Sequence, residues 1–208
     1  MSVSATDSTL PLIAEEVRGC HKCDLARGRI QAVPGEGNPD ARVMLIGEGP
    51  GFHEDTQGKP FVGNSGNFLT ALLEKAGLKR EDVFITNVVK CRPPSNRDPL
   101  PDEMDECSDY LDRQIAAIDP EVIVTLGRFS MSRYFPGERI SRIHGQSHQR
   151  GNRMIVPMYH PAAALHQGNL RAVIEEDFAK LPKLLADAER EREAAAERAD
   201  VATQTSLF

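Results

Sequence analysis

Four short β-branched runs most constrain what this chain can fold into: residues 42–46 (RVMLI), 83–89 (VFITNVV), 121–126 (EVIVTL) and 153–158 (RMIVPM). Each is a nearly continuous apolar segment, as expected of strands buried on both faces of a parallel sheet. Helical stretches lie between them. Residues 65–76 (SGNFLTALLEKA) stop at Gly77, a C-cap residue, and 102–118 start after Pro101 with an acidic first turn that suits the helix dipole. Residues 169–198 have helical periodicity to about Ala186; beyond it, strong helix formers continue without an apolar stripe. This alternation predicts an α/β fold, an open sandwich with helices covering the sheet.

The strand ends carry the chemistry. GEGPG (47–51) follows the first strand, Asn87 lies near the end of the second, Gly127 follows the third, and Tyr159-His160-Pro161 follow the fourth. In an open parallel sheet the carboxyl ends of the strands form the ligand crevice, so these positions describe one site. GEGPG is not a dinucleotide fingerprint, because its glycines stand at 47, 49 and 51, and it lacks the G-K-[ST] ending of a phosphate loop. What remains is a tight turn that exposes backbone amides to a flat ligand and carries Glu48, with Glu54 just beyond. Phe61, in the stiff loop KPFVG, is either core or a stacking surface for a planar base. Asn87 is a turn residue or an amide reading a pyrimidine edge, and His160 is structural or a donor to a developing oxyanion.

The four cysteines, Cys20, Cys23, Cys91 and Cys107, are spaced C-x2-C, then 67 residues, then C-x15-C. A chain whose first ten residues show no export signal is a poor candidate for structural disulfides, and a metal centre fits better than unrelated buried thiols. Tetrahedral zinc and a [4Fe–4S] cluster both accept four thiolates, and the spacing leaves both open.

Charge first argues against a nucleic-acid partner, since the formal net charge is −6. Its distribution argues otherwise. Residues 187–200 alone hold a net −3, whereas 128–153 contain six arginines and one acid. Such a basic strip is either a solvated face or a phosphate-binding surface. With 40 % hydrophobic and 27 % charged residues over 208 positions, the composition is that of one globular domain with a tail. No apolar run approaches the roughly 18 residues of a membrane span.

Together, Cys20-x2-Cys23, GEGPG-x2-ED (47–55), KPFVG (59–63), TNVVKCRPP (86–94), Cys107 and HPAA (160–163) resemble the family 4 uracil-DNA glycosylases, the iron–sulfur members of their superfamily. The resemblance covers about residues 10–185. It implies a three-layer α/β/α sandwich with a four-stranded parallel sheet, and a [4Fe–4S] cluster on the four cysteines. The implied reaction is hydrolysis of the N-glycosidic bond of deoxyuridine flipped out of DNA, leaving an abasic site in base excision repair. Carried over by motif, Phe61 stacks the uracil, Asn87 reads its polar edge, and His160 hydrogen-bonds O2. Glu54 crowds C5 against thymine's methyl group. Gly49 belongs to the turn that holds the ring, and Glu48 positions water or stabilises the sugar cation. The best-known glycosylases of the superfamily have aspartate where Gly49 stands, so hydrolysis here leans on departure of the uracil anion and on Glu48.

A covalent relative traps its product on a histidine within K-R-R-I-H. This chain has only Arg142-Ile143-His144, preceded by Glu138-Arg139-Ile140-Ser141, so turnover without an adduct is expected. Arg139, Arg142 and His144 are candidate DNA contacts. The domain is expected over 10–186, between a disordered 1–9 and a mobile acidic tail, 187–208. Gln204, Leu207 and Phe208 in the terminal QTSLF resemble a sliding-clamp peptide. A monomer acting in the cytoplasm on single- or double-stranded DNA is expected. The competing readings are a non-catalytic iron–sulfur or zinc nucleic-acid-binding module and, weakened by the failed glycine fingerprint, a nucleotide-dependent redox enzyme.

Overall fold

The computed structural model describes residues 5–205 of the chain, and side chains from 9 to 198. The four apolar runs form strands β2 (Val43–Gly47), β3 (Phe84–Asn87), β4 (Val122–Leu126) and β6 (Arg153–Met158), all parallel. Two short antiparallel strands, β1 (Glu36–Gly37) and β5 (His148–Arg150), extend the edges into a mixed six-stranded sheet of order β1-β3-β2-β4-β6-β5. Neither edge strand carries a periodic apolar signal. β1 is two residues long and ends in a glycine, and β5 reads His-Gln-Arg.

The sheet divides the core in two. Met44, Ile46, Phe84, Ile123 and Ile155 point to one face and pack with Ile13 and Val17 of α1 (Ala5–Arg18) and Leu111 and Ile115 of α5 (Pro101–Ile118). Val43, Leu45, Ile85, Val122 and Val124 point to the other, against Leu69 and Leu72 of α4 (Asn64–Lys75), Phe178 of α9 (Leu170–Ala179) and Leu184 of α10 (Leu181–Thr205). The two-residue period of the pleat sorts consecutive apolar residues to opposite layers, which is why the strands read as unbroken apolar runs. The result is the expected three-layer α/β/α sandwich. Short helices α2 (Leu25–Gly28), α3 (Phe52–Gln57), α6 (Arg128–Ser132), α7 (Ile140–Ile143) and α8 (Pro161–His166), with 3-10 turns at Arg80–Asp82 and Pro94–Asn96, complete the elements among the described residues. No helix among these is long and apolar enough to cross a membrane.

Three boundaries differ from the sequence expectation. The chain is helical from Ala5, within the stretch 1–9 expected to be disordered. The long C-terminal helix breaks at Lys180 into α9 and α10, because Pro182 has no N–H and fits a first turn, not a helix interior. Finally, the fold does not end at 186. Ala188 is buried, Glu189 pairs with Arg42, and Arg192 donates to the carbonyl of Asp119 at 3.0 Å and pairs with its carboxylate. These contacts extend the packed helix beyond the expected tail boundary. Leu207 and Phe208 lie outside the described residues.

The Arg192–Asp119 pair is partly solvent-exposed and therefore of modest strength. Arg192→Ala is expected to lower Tm by about 1–4 °C and to raise amide exchange across 187–198. An unchanged melting curve and unchanged exchange would show that this segment does not brace the domain.

Candidate active site

A pocket of about 400 Å³ opens at the carboxyl ends of the parallel strands. It is bordered by Glu48 and Gly49 after β2, Asn87 at the end of β3, and His160 after β6. Glu54 of α3 and Phe61 complete the set expected from the sequence around one cavity. The register explains the meeting: Gly47 pairs with Asn87 across β2 and β3. A Cβ at Gly47 would strike Asn87 Oδ1 and lie 2.8 Å from the Phe61 ring, so only glycine lets these groups close on the strand end.

Phe61 is buried and has φ +50°, a left-handed conformation rare for a bulky residue. Its loop is held from several directions. Glu54 Oε1 accepts hydrogen bonds from the Val62 and Gly63 amides at 2.9 and 3.2 Å, and Oε2 accepts from Gly51 at 3.1 Å. Arg80 donates to the carbonyl of Pro60. At Gly66 any side chain would collide with the Phe61 backbone. The Phe61 ring stacks on His160 with centroids 5.3 Å apart and planes 25° from parallel.

His160 is the N-cap of α8, where its Nδ1 accepts the Ala162 amide at 3.1 Å. An accepting Nδ1 bears no proton, so the neutral ring carries its hydrogen on Nε2 and acts there as a donor. Burial pushes the imidazole pKa down to about 4, against a weaker opposing pull from Glu54. His160 is therefore neutral at physiological pH. Burial also raises the Glu48 carboxyl; the nearby Asp98 charge adds to this, and Arg128 opposes it. At Gly49 a Cβ would come within 2.7 Å of Val89 Cγ2, so a larger residue there would have to displace that side chain.

The pocket also takes in Ser65, Pro93, Asn96, Arg97 and His166, which sequence reasoning did not single out. The Pro-Pro-Ser-Asn turn at 93–96 was the available signal, and Ser95 and Asn96 both have positive φ there. Arg97 forms a two-pronged pair with the buried Glu103 carboxylate, which also caps the Leu100 amide at the start of α5. A fully buried Lys90 was likewise missed. Its Nζ donates to Thr86 Oγ1, Asn87 O and Gln114 Oε1 at 2.6–2.8 Å, anchoring the strand end that presents Asn87. Desolvation lowers this ammonium's pKa to about 7.

The candidate DNA contacts lie apart. Arg128, Arg133 and Arg153 of the basic strip are paired with Asp98, Asp112 and Asp119. Arg139 and Arg142 are exposed and have no carboxylate partner among the described residues. His144 does not border the pocket; its Nδ1 lies 2.6 Å from the buried carboxylate of Asp177, whose other oxygen accepts from Lys180.

All four cysteines border one small cavity, beside Tyr110 and Lys90. Burial raises the pKa values of Cys23, Cys91 and Cys107, the last to about 11, while Arg29 donates to Cys91 Sγ at 3.0 Å. Thiols this desolvated become thiolates only against compensating positive charge, the setting of a metal centre. Four thiols around a common cavity are a donor set that a thiolate-bound metal group could use.

The His160 environment has a consequence for stability. The unfolded imidazole takes up a proton near pH 6.5, the folded one only near 4, so stability is lost as pH falls through this window. Denaturation midpoints of the wild type should drop between pH 6.5 and 4 more steeply than those of His160→Gln. Parallel curves would show that this histidine titrates normally.

The model of the uracil DNA glycosylase superfamily matches residues 34–183. A type-4 uracil-DNA glycosylase of Saccharolobus solfataricus is 53 % identical over 186 residues, covering 85 % of this chain and 86 % of the relative. Type-4 enzymes of Archaeoglobus fulgidus and Thermotoga maritima are 46 % and 41 % identical, covering 83 % and 84 % of this chain and 91 % and 93 % of theirs. With the fold, the strand-end pocket and the cysteine cavity all in place, this chain belongs to the uracil-DNA glycosylase superfamily, in its type-4 branch.

Proposed function

We propose that this protein excises uracil from DNA, hydrolysing the N-glycosidic bond of a flipped deoxyuridine to leave an abasic site. The observation that carries the reading is the convergence of a buried Asn87 amide, the Phe61 face and the neutral His160 donor on one strand-end pocket. Extrusion of the base costs a few kcal/mol, least in mismatches and single strands. Leu165, half-exposed on α8 beside the pocket-lining His166, would be the apolar wedge that fills the gap the base leaves. Inside, Phe61 stacks the ring and Asn87 pairs with its polar edge. Negative charge growing on O2 meets the Nε2–H of His160, a donor already oriented by its cap and needing no rearrangement at the moment of reaction. Glu48, made more basic by burial, orients the attacking water or stabilises the sugar cation. Gly49 supplies no carboxylate. Glu54, fixed by three backbone amides, forms a rigid wall against C5 and so against thymine's methyl group. With His144 engaged by Asp177 outside the pocket, the reaction ends in release of product without a protein adduct.

Cys20, Cys23, Cys91 and Cys107 would hold a [4Fe–4S] cluster. Its contribution when bound is a covalent tie between the α1–α2 turn, the segment after β3 and α5. Arg139 and Arg142 are proposed backbone contacts to DNA. The terminal QTSLF, with Gln204, Leu207 and Phe208, falls beyond the described side chains and stands as a proposed clamp-docking peptide on its sequence alone.

The deciding assay incubates the protein with an oligonucleotide containing one deoxyuridine, then cleaves abasic sites with alkali. Wild type is expected to cut. His160→Ala should fall by about 10²–10³-fold, the loss seen when one oxyanion donor is removed. Glu48→Gln should lose the acidic limb of the pH–rate profile, because the wild-type carboxylate is silenced as pH falls through its raised pKa. Absence of cleavage by folded, metal-loaded protein would leave the non-catalytic binding module as the better reading. Separately, Cys107→Ser should lose bound iron and the broad visible absorption of a cluster. Full iron retention would remove Cys107 from the ligand set.

A further inference from the structure

Phe52 is the residue immediately after the Gly51 turn, and 54 % of it is exposed to solvent. A phenylalanine this open, next in the chain to the pocket-lining Gly51, is not there for the core. Its surroundings are organised. The guanidinium of Arg92 lies over the ring, 5.3 Å from the centroid, and the ring of His53 meets it edge-on at 5.6 Å. Arg92 Nε donates to Asn96 Oδ1 at 2.7 Å, and Asn96 itself borders the pocket. The positive φ angles of Ser95 and Asn96 set the turn that brings this asparagine back toward Arg92. Thus Phe52, Arg92 and Asn96 form a connected ledge running from solvent to the pocket rim.

The charge on this ledge is also distinctive. Arg97, which borders the pocket, is paired with Glu103, and Arg128 is paired with Asp98. Arg92 has no carboxylate partner among the described residues and keeps its charge available. A solvent-exposed aromatic ring carrying an unneutralised guanidinium over it is a combination that holds unpaired nucleotides: a base can stack on the exposed ring or on the guanidinium plane, and every linkage has a phosphate to neutralise.

We propose that Phe52 and Arg92 form a stacking platform for the base of a nucleotide flanking the excised deoxyuridine, so the strand is gripped by a second, sequence-tolerant base. The proposal rests on the uracil-excision reading and adds a subsite to it. A flanking base can lie on Phe52 only when it has left its own stack. The platform therefore favours single strands, mismatches and frayed ends over intact duplex, and it is indifferent to the identity of the flanking base.

The test combines protein and substrate deletions. Single-turnover excision is measured on single-stranded oligonucleotides with a central deoxyuridine, either complete or with an abasic spacer on its 5′ or 3′ side. For the wild type, one of the two spacers is expected to lower the rate at sub-saturating protein by about 5- to 100-fold. Phe52→Ala should lose a similar factor on the complete strand and nothing further on that spacer strand, while Phe52→Trp retains wild-type behaviour. Arg92→Ala should weaken binding and flatten its salt dependence. Because Phe52 is exposed, Phe52→Ala is expected to melt with the wild type. Quenching of 2-aminopurine placed beside the deoxyuridine reads the stacking without turnover, and should vanish in Phe52→Ala. Excision by wild type that ignores both spacers, or a Phe52→Ala defect equally large on complete and spacer strands, would overturn the platform and leave uracil excision standing. Wild-type protein that excises nothing defeats the excision reading instead, and the fluorescence result still decides the platform.

Discussion

The carboxylate of Glu54 joins the two sides of the pocket. One oxygen accepts from Gly51, in the turn after β2, and the other from Val62 and Gly63, in the loop that carries Phe61. Amides in such turns have no ladder partner, and an ionised acceptor satisfies them with bonds roughly twice as strong as neutral ones. The arrangement matters because the Phe61 backbone is strained. A bulky residue at φ +50° persists only where its neighbours over-determine it. Glu54, Arg80 and the bare Cα of Gly66 do so together, and the stacking of Phe61 on His160 depends on them.

Behind the pocket, the strand end bearing Asn87 is held by polar contacts in the core. Lys90 reaches back to the Asn87 carbonyl and to Thr86, and Gln114 of α5 links the lysine to the carbonyl of Pro34. Three acceptors satisfy the buried Lys90 nitrogen, while its desolvation disfavours the charged form. Cys91 is its neighbour in sequence, and Lys90 itself borders the cysteine cavity. Asn87, the proposed reader of a base, and Cys91, a proposed metal ligand, are therefore attached to one short stretch of chain.

A net charge of −6 is compatible with a DNA partner once its position is considered. At physiological ionic strength charges separated by more than about 8 Å of solvent are largely screened, so the local balance at a surface counts for more than the net charge. Conversely, the arginine-rich strip is less basic than its composition, because acids from other parts of the chain neutralise half of its arginines. The strip's remainder without a carboxylate partner among the described residues is Arg139, Arg142 and Arg150.

Much of this was legible in the order of residues. The four parallel strands, the helices at 65–76 and 102–118 and the glycine turn all rest on local signals: apolar runs, caps and dihedral preferences that depend on near neighbours. Given those strands, the placement of Glu48, Asn87 and His160 at one crevice follows from the geometry of parallel sheets. The edge strands β1 and β5 were not legible, since two or three polar residues become a strand only by pairing with a partner already in place. Nor were the anchoring of α10 by Arg192, 73 residues from Asp119, the neutralised arginines, or Lys90 buried among three acceptors. By itself the sequence determined which segments could be strands, turns and thiol ligands. Tertiary structure alone decided which charges remain free and which buried polar groups find partners, because those depend on distances between residues remote in the chain.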